Sequence, residues 1–203
     1  MTDDRRPPGF DPQRDVMLDA RNLRGLVHPL RARMLTLLRE SGPATATMLA
    51  ERLGESSAAT SYHLRQLAAY GFVVDDDRPA SGRQRWWRSA HRSTYFDTTG
   101  DASDEAHLLG MEYLRGVVRG AAGRMEAWVD AMPGLPREWR DAGNISDYRM
   151  QLTPEQAVAL IEELDRIGVA RRADDATRAA PGARRVNFQF QVLPDPRSVL
   201  DDD

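Results

Sequence analysis

The sequence predicts a mainly helical α+β protein, and three patterns among its 203 residues lead to this prediction. Two short amphipathic helices and an apolar, strand-like hairpin follow one another within residues 43–87. A long heptad pattern occupies residues 101–132, and a strictly alternating run occupies residues 185–193. The expected order is a small helical domain with a hairpin, a long helix and a small C-terminal α+β module.

The composition is that of a soluble globular chain, with 41% hydrophobic and 29% charged residues. No apolar run approaches the roughly 18 residues of a membrane-spanning helix, and the N-terminus has no apolar segment of the kind found in secretory signals. We therefore expect a cytoplasmic protein with no membrane partner. The absence of Cys excludes disulfides, a thiolate nucleophile and Cys-based metal or redox sensing.

Charge is divided unevenly along the chain. Residues 19–92 contain twelve Arg and seven acidic residues, a net charge of +5, whereas residues 93–203 carry a net charge of −7. A basic segment attached to an acidic one indicates a polyanionic partner for the basic segment. Double-stranded DNA is the partner that we expect.

The chain begins with a polar arm and two helices placed end to end. Residues 1–15 are rich in Pro and Asp without apolar periodicity, which predicts a disordered arm. Helical spacing of apolar residues then runs from Val16 to Glu40 with a break at His28-Pro29. Because Pro is tolerated in the first turn of a helix, a second helix is expected to start there. These helices open a predicted domain of residues 16–98.

Two further helices are predicted between Thr45 and Gly71. Thr45 is a good N-cap for the first, Gly54 supplies the turn, and Ser56 or Ser57 caps the second. Two short helices joined by such a turn form a helix-turn-helix, whose second helix, here residues 57–70, reads DNA. The predicted inward residues of that helix are Thr60, Leu64 and Leu67. Its outward residues are small or hydrogen-bonding, with an Arg one turn later, as close approach to base edges and phosphates requires: Ser57, Ala58, Ser61, Tyr62 and Arg65.

The period changes from helix to strand at residues 72–74, and a second extended run ends at Ser89. Together residues 72–89 predict a hairpin, or wing, that carries Arg83 and Arg85. Because strand side chains alternate, Trp86 and Trp87 point to opposite faces, and either one could be the buried one. The acidic residues 75–77 are unfavourable near phosphate, so we expect them to point away from DNA or to hold the wing arginines.

Residues 19–95 resemble the winged helix-turn-helix domain of ArsR-type bacterial regulators. The resemblance is carried by the segments LVHPLRARMLTLL, ATMLAERLG and SSAATSYHLRQLAAYGFV and by the Arg-rich hairpin. It implies that the reader helix enters the major groove, that the wing touches the backbone or minor groove, and that dimers repress transcription until an effector releases them. The implied DNA-binding residues are those of the outward face together with Arg83 and Arg85. The Cys pairs and His/Asp clusters of metal-sensing members are missing. His63 is either a partly buried residue of the reader helix or a donor to phosphate.

Residues 101–132 predict one long helix with a heptad seam of apolar residues spaced alternately three and four apart. Such a seam requires a partner helix, so we favour a homodimer over packing within one chain. The predicted dimerisation residues are Met111, Leu114, Val118, Ala121, Met125 and Trp128.

Residues 143–194 predict a small strand-helix-strand module, followed by an acidic tail at residues 195–203. A strand is expected near Tyr148 to Leu152, then a helix capped by Thr153, then the alternating strand of residues 185–193. This part resembles C-terminal extensions of ArsR-like regulators from actinobacteria. We expect it to bind an effector, either a small molecule or a partner protein.

The sequence predicts neither an enzyme nor a cofactor. None of the four histidines lies beside the residues of a catalytic triad, and no phosphate-binding loop is present. Asp104 and His107 lie one helical turn apart, but a metal site requires three or four ligands. The predicted function is that of a DNA-binding transcriptional regulator, a homodimeric repressor. The alternative is a protein-interaction module in which the winged helix is a scaffold that does not bind DNA.

Overall fold

A side chain caps the N-terminus of each of the first four helices of the protein. The structure, a computed structural model, describes residues 6, 7, 9–78, 85–96, 103–171 and 180–200. The helices are α1 (Ala20–Leu26), α2 (Pro29–Ser41), α3 (Ala46–Leu53) and α4 (Ser57–Ala69). Their N-caps, each accepting a backbone N–H of the first turn, are Asp19, His28, Thr45 and Ser56. Such a cap stabilises a helix by about 1 kcal/mol because it satisfies an N–H that the helix leaves without a partner. The predicted second start at His28-Pro29 is confirmed, and so is the mainly helical α+β fold class.

The described chain divides into two units, Asp11–Ala127 and Trp128–Asp203 together with Met1–Phe10. We call them the N-terminal unit and the C-terminal unit. Among the described residues, no helix combines the length and the apolar character needed to cross a membrane.

A three-stranded sheet forms the wing of the N-terminal unit. Its order is β2 (Ala44–Thr45), β4 (Trp86–Ser89) and β3 (Val73–Asp75), with antiparallel pairing throughout. Trp87 is buried in the core, while Trp86 on the opposite face is only half-buried. Burial of Trp87 in the core therefore holds the wing against the helices. Arg83 and the rest of the predicted hairpin tip, residues 79–84, lie outside the described residues.

A second, parallel pair joins β1 (Asp15–Met17) to β5 (Ser93–Tyr95). Residues 11–15, which composition assigned to a disordered arm, are instead part of the N-terminal unit. Asp15 explains the difference, because its buried carboxylate is ion-paired with Arg92 at 2.6 Å. Since this contact joins residues that are distant along the chain, local composition gives no sign of it. The rest of the predicted arm, residues 1–10, belongs to the C-terminal unit as far as it is described.

A long helix, α5 (Asp104–Ala131), packs within the chain by a face that the heptad seam does not include. Ala106 and Gly110 are buried, and the ring of Phe96 packs so closely on Gly110 that a Cβ there would overlap it. Tyr113 completes this face with a hydrogen bond of 3.1 Å between its hydroxyl and Thr94 Oγ1. At about 100° per residue, the centre of this face lies roughly 80° around the helix from the centre of the seam. The predicted start of this helix at residue 101 lies outside the described residues.

The C-terminal unit contains α6 (Arg137–Asp141), α7 (Pro154–Ala170) and α8 (Pro196–Leu200). Thr153 caps α7, as predicted, and does so in a reciprocal capping box with Gln156. The prediction of strands at residues 148–152 and 185–193 is wrong, because neither segment belongs to a sheet in the described part of the chain. Alternation indicates which side chains share a face, but a strand also needs a partner for its backbone. Residues 196–200, expected within an acidic tail, form α8.

The buried Asp15 should be one of the most sensitive positions for stability. Asp15→Asn removes the charge that compensates Arg92, so we expect the free energy of unfolding to fall by about 3 kcal/mol. Urea unfolding followed by circular dichroism would measure the change. The matched control is Asp141→Asn, the same substitution in the exposed ion pair with Arg137. Equal effects of the two substitutions would contradict a stabilising role for the buried pair.

Candidate nucleic-acid interface

The inward face of α4 fixes the orientation of the predicted reader helix. Thr60, Leu64 and Leu67 have no exposure to solvent, as expected from their spacing. The hydroxyl of Thr60 also donates a hydrogen bond of 2.9 Å to the carbonyl of Ala46 at the start of α3. Because a buried polar contact and two leucines hold the same face, rotation of α4 about its axis would lose all three interactions.

The turn before α4 sets the direction of the helix. Gly54 has φ 69° and ψ 32°, a left-handed conformation that a residue with a Cβ adopts at a cost. The amide of Glu55 then donates to the carbonyl of Ala50 at 2.9 Å, which closes the end of α3. The chain can therefore enter the cap of α4 at Ser56 within two residues.

The structure places the predicted DNA-facing residues together on the outer face of α4. Ser57, Ala58, Tyr62 and Arg65 are exposed, and Ser61 is half-buried. Tyr62 is 52% exposed, which is unusual for a large aromatic side chain and leaves its hydroxyl available. The guanidinium of Arg65 lies along the helix, with Nε donating to the carbonyl of Ser61 at 3.2 Å. This face can donate to phosphates and to acceptors on base edges.

His63 lies on the side of α4 that turns toward the helix junction. Its ring packs against that of His28 with the centroids 4.4 Å apart and the ring planes tilted by 43°, and its Nδ1 is buried without a hydrogen-bond partner. Burial lowers the pKa of His63, and the nearby His28 and Arg31 lower it further against an opposing effect of Glu55. His28 itself uses Nδ1 to accept the amide of Leu30 at 3.2 Å. The geometry favours the partly buried role for His63 that the sequence left as one of two alternatives.

The acidic residues of the wing hold its arginines. Arg85 forms two hydrogen bonds with Asp75, of which the one from Nη2 to Oδ2 is 2.8 Å long, and its guanidinium lies 4.0 Å from the centre of the Trp87 ring. The pKa of Asp75 is lowered by these hydrogen bonds. Arg78 pairs with Asp76 at 3.1 Å in the same manner. In the free protein, part of the positive charge of the wing is therefore neutralised, which a count of charges along the sequence could not reveal.

A half-buried Arg beneath the wing was not singled out by sequence reasoning. The guanidinium of Arg39 donates through Nε to Ser89 Oγ at 3.3 Å and to the carbonyl of His91 at 3.1 Å. Desolvation lowers the pKa of Arg39. These contacts tie α2 to the end of β4, so Arg39 positions the wing relative to the helices. The sequence feature that could have identified Arg39 is its place in an apolar helical pattern, next to Leu38 and one turn after Leu35.

The described residues contain no group of three or more His, Asp and Glu side chains arranged to hold a metal ion. The candidate site is a surface made of the outer face of α4 and the described part of the wing.

The burial of His63 beside His28 predicts that acid destabilises the N-terminal unit. Because the pKa of His63 is lower in the folded chain than its ordinary value of 6.5, the unfolded chain binds more protons between these two values. Stability should therefore be complete above about pH 6.5 and fall as the pH drops toward the folded-state pKa.

Differential scanning calorimetry at about pH 7.5 and about pH 5.5 measures this loss. We expect His63→Gln to lose less melting temperature than the natural chain between the two conditions. It should retain some dependence, because burial also lowers the pKa of His91. An unchanged pH dependence in His63→Gln would contradict this account of His63.

Comparison with known proteins places the same region in a recognised class. Residues 26–75 match the family model of a helix-turn-helix domain, and this interval includes α2, α3 and α4 in full. Among curated proteins, none matches the chain. A helix-turn-helix domain suggests a DNA-binding regulator, which agrees with the exposed face of α4.

Proposed function

We propose that the protein is a homodimeric transcriptional repressor that inserts α4 into the major groove of DNA and lays its wing against the backbone or the minor groove. The observation that carries this proposal is the division of α4 into a buried face and an outer face of small, hydroxyl-bearing and cationic side chains. The match of residues 26–75 to a helix-turn-helix domain supports the DNA-binding part of the proposal.

The size of the side chains on α4 suits close approach to DNA. Ser57 and Ala58 occupy the first turn, where bulk would hold the helix away from base edges, and Ser61 and Tyr62 offer hydroxyl groups one turn later. Arg65, about one turn further along the helix, adds a positive charge to this face. Since α4 has no acidic residue in its first turn, phosphate can also approach the positive end of the helix dipole.

The wing contributes Arg side chains, but an Arg that is paired with a carboxylate in the free chain must change that contact to reach phosphate. Arg85 is paired with Asp75 in the free chain, so contact with phosphate requires it to leave that carboxylate or to bind both groups. Arg88 on β4 is exposed and supplies a further cation on the same sheet. We propose that Arg83 joins them, as the ArsR resemblance implies.

Two copies pair through the seam of α5 in this proposal. Met111, Val118 and Met125 are 40%, 67% and 37% exposed, while Leu114 and Ala121 between them are half-buried. Exposed apolar side chains at heptad spacing gain most by packing against a second helix. The Trp128 side chain is half-buried within one chain, because its ring packs on Gly143 in the C-terminal unit.

Repression, and its relief by a small molecule or a partner protein at the C-terminal unit, follow from the ArsR resemblance.

Arg65 gives the most direct test of DNA binding. We expect Arg65→Ala to weaken binding to the protein's own promoter by about tenfold and to reduce the slope of log Kd against log salt by about 1, because one phosphate contact is lost. Gel-shift titrations over a range of salt concentrations measure both quantities.

The control for this experiment is Arg166→Ala. Arg166 is also exposed on a helix and donates from Nε to the carbonyl four residues earlier, at 3.1 Å, so it reproduces the setting of Arg65 outside the proposed interface. If the natural chain gives no shift at low salt, the alternative of a scaffold that does not bind DNA is favoured. An equal loss in both variants would contradict the placement of the reader face.

The dimer can be tested within α5. Val118→Asp puts a charge in the middle of the seam, so we expect the dimer measured by multi-angle light scattering to dissociate at micromolar concentration. Gly123→Asp is the matched control, since Gly123 is exposed, a Cβ there would contact nothing, and the position lies about 140° around the helix from Val118. A natural chain that is monomeric at this concentration, or equal effects of both substitutions, would contradict the proposal.

A further inference from the structure

Tyr113 of α5 holds that helix against the segment of chain that leaves the wing. Its ring packs edge-on against the ring of Phe96, with the centroids 6.3 Å apart and the ring planes at 74°. Its hydroxyl lies 3.1 Å from Thr94 Oγ1 in β5. Both of these residues follow β4, the central strand of the wing, by only a few positions. Tyr113 therefore joins α5 to the end of the wing through one apolar and one polar contact.

Thr94 also contacts Arg39 of α2. Arg39 Nη1 donates to Thr94 Oγ1 at 3.5 Å, and Nε of the same guanidinium donates to Ser89 Oγ at 3.3 Å. Because a guanidinium can only donate, the Thr94 oxygen accepts from Arg39 and keeps its own proton or a second lone pair for Tyr113. We call Tyr113, Thr94, Arg39 and Ser89 the junction network. It runs from α5 through β5 and α2 to the end of β4.

Arg39 depends on these acceptors for its position. It is half-buried, and its Nη2 has no hydrogen-bond partner among the residues that the structure describes. Burial lowers the pKa of Arg39, and the nearby Tyr113 and Asp15 oppose this effect. A buried donor that loses an acceptor bears the cost of its lost hydration. Loss of the Thr94 contact should therefore shift the guanidinium, because staying in place would leave a second nitrogen without a partner.

The end of β4 is tied to Arg39 at two points. Besides Ser89, Arg39 Nε contacts the carbonyl of His91 at 3.1 Å, and Ser89 Oγ donates to that same carbonyl at 2.6 Å. These contacts fix the chain where it leaves the wing. β4 carries the exposed Arg88, and Arg85 directly precedes the strand. A displacement at Ser89 would therefore move the cations that the wing offers to phosphate.

We propose that Tyr113 is a positioning residue for the wing, whose hydroxyl acts through Thr94 and Arg39 on the end of β4 and so couples α5 to the wing arginines. Tyr113 does not belong to the heptad seam, so this role is separate from a contact between two copies. The inference rests on the proposed function in one respect, that the wing meets DNA. The coupling itself can be measured without DNA.

Hydrogen exchange of the full-length chain measures the coupling directly. Tyr113→Phe removes the hydroxyl and keeps the ring against Phe96, so we expect the amides of β4 to exchange about fivefold faster while those of α4 keep their rates. Mass spectrometry of peptides from the two elements gives both rates. Tyr148→Phe is the matched control, since it removes the same hydroxyl from a side chain of the C-terminal unit that is 74% exposed.

Two substitutions at Thr94 distinguish the hydrogen bonds from general packing. Thr94→Val removes the hydroxyl and keeps the branched shape, so it should reproduce the faster exchange of β4. Thr94→Ser keeps the hydroxyl and should exchange at the rate of the natural chain. Tyr113→Phe combined with Thr94→Val should exchange no faster than Thr94→Val alone, because both substitutions break the same network.

Gel shifts with the protein's own promoter relate the coupling to DNA binding. We expect Tyr113→Phe to weaken binding about threefold, with the assembly state by light scattering unchanged. The loss should persist in an Arg65→Ala background, where the reader helix is altered, and shrink in an Arg85→Ala background, where the wing is altered. An equal loss in the two backgrounds would contradict an effect through the wing.

The exchange rates decide the proposal. Exchange of β4 in Tyr113→Phe that matches the Tyr148→Phe control would overturn it, and so would equal acceleration in β4 and α4, which indicates a general loss of stability. Faster exchange confined to β4 with unchanged affinity for the promoter would overturn the role in DNA binding. If the natural chain binds no DNA, the repressor function is lost, and the exchange rates still decide whether Tyr113 positions the wing.

Discussion

The orientation of α4 depends on a single buried face, and the candidate interface depends on that orientation. Thr60, Leu64 and Leu67 are fully buried, and the Thr60 hydroxyl is bound to the carbonyl of Ala46 on the preceding helix. Burial of two Leu side chains contributes about 3–6 kcal/mol, more than intrinsic helix propensity supplies over so short a helix. The buried residues of α4 therefore determine which of its side chains face outward and are available to DNA.

The wing shows how a basic surface can carry acidic residues next to its arginines. Asp75 and Asp76 hold Arg85 and Arg78, and the two guanidinium groups lie over the rings of Trp87 and Trp86. Exposed pairs of this kind are worth little for stability, but they keep long side chains ordered near the sheet. An arginine held in this way can exchange a carboxylate for a phosphate with a smaller loss of side-chain entropy than a free one.

Local signals in the sequence were sufficient for the helix-turn-helix. The Pro29 start, the Thr45 cap and the Gly54 turn each act within a few residues, so their effects can be predicted without the fold. Contacts between distant residues could not be predicted in this way. The ion pair between Asp15 and Arg92 joins residues 77 positions apart, and β1 begins at Asp15, the last residue of the segment that composition assigned to disorder. The same limit explains the wrong strand at residues 185–193, where alternation was clear but no partner strand exists in the described chain.

Selection of bound fragments from the source genome, followed by sequencing, tests the central claim that two copies present α4 to successive major grooves. We expect an enriched inverted repeat whose half-site centres are separated by about 10–10.5 base pairs or a multiple of that distance, because a two-fold dimer requires a matching two-fold operator. Arg65→Ala should weaken the enrichment. Recovery of fragments without a common sequence, or of one unrepeated half-site, would contradict the dimeric reader, and no enrichment over input DNA would contradict DNA binding itself.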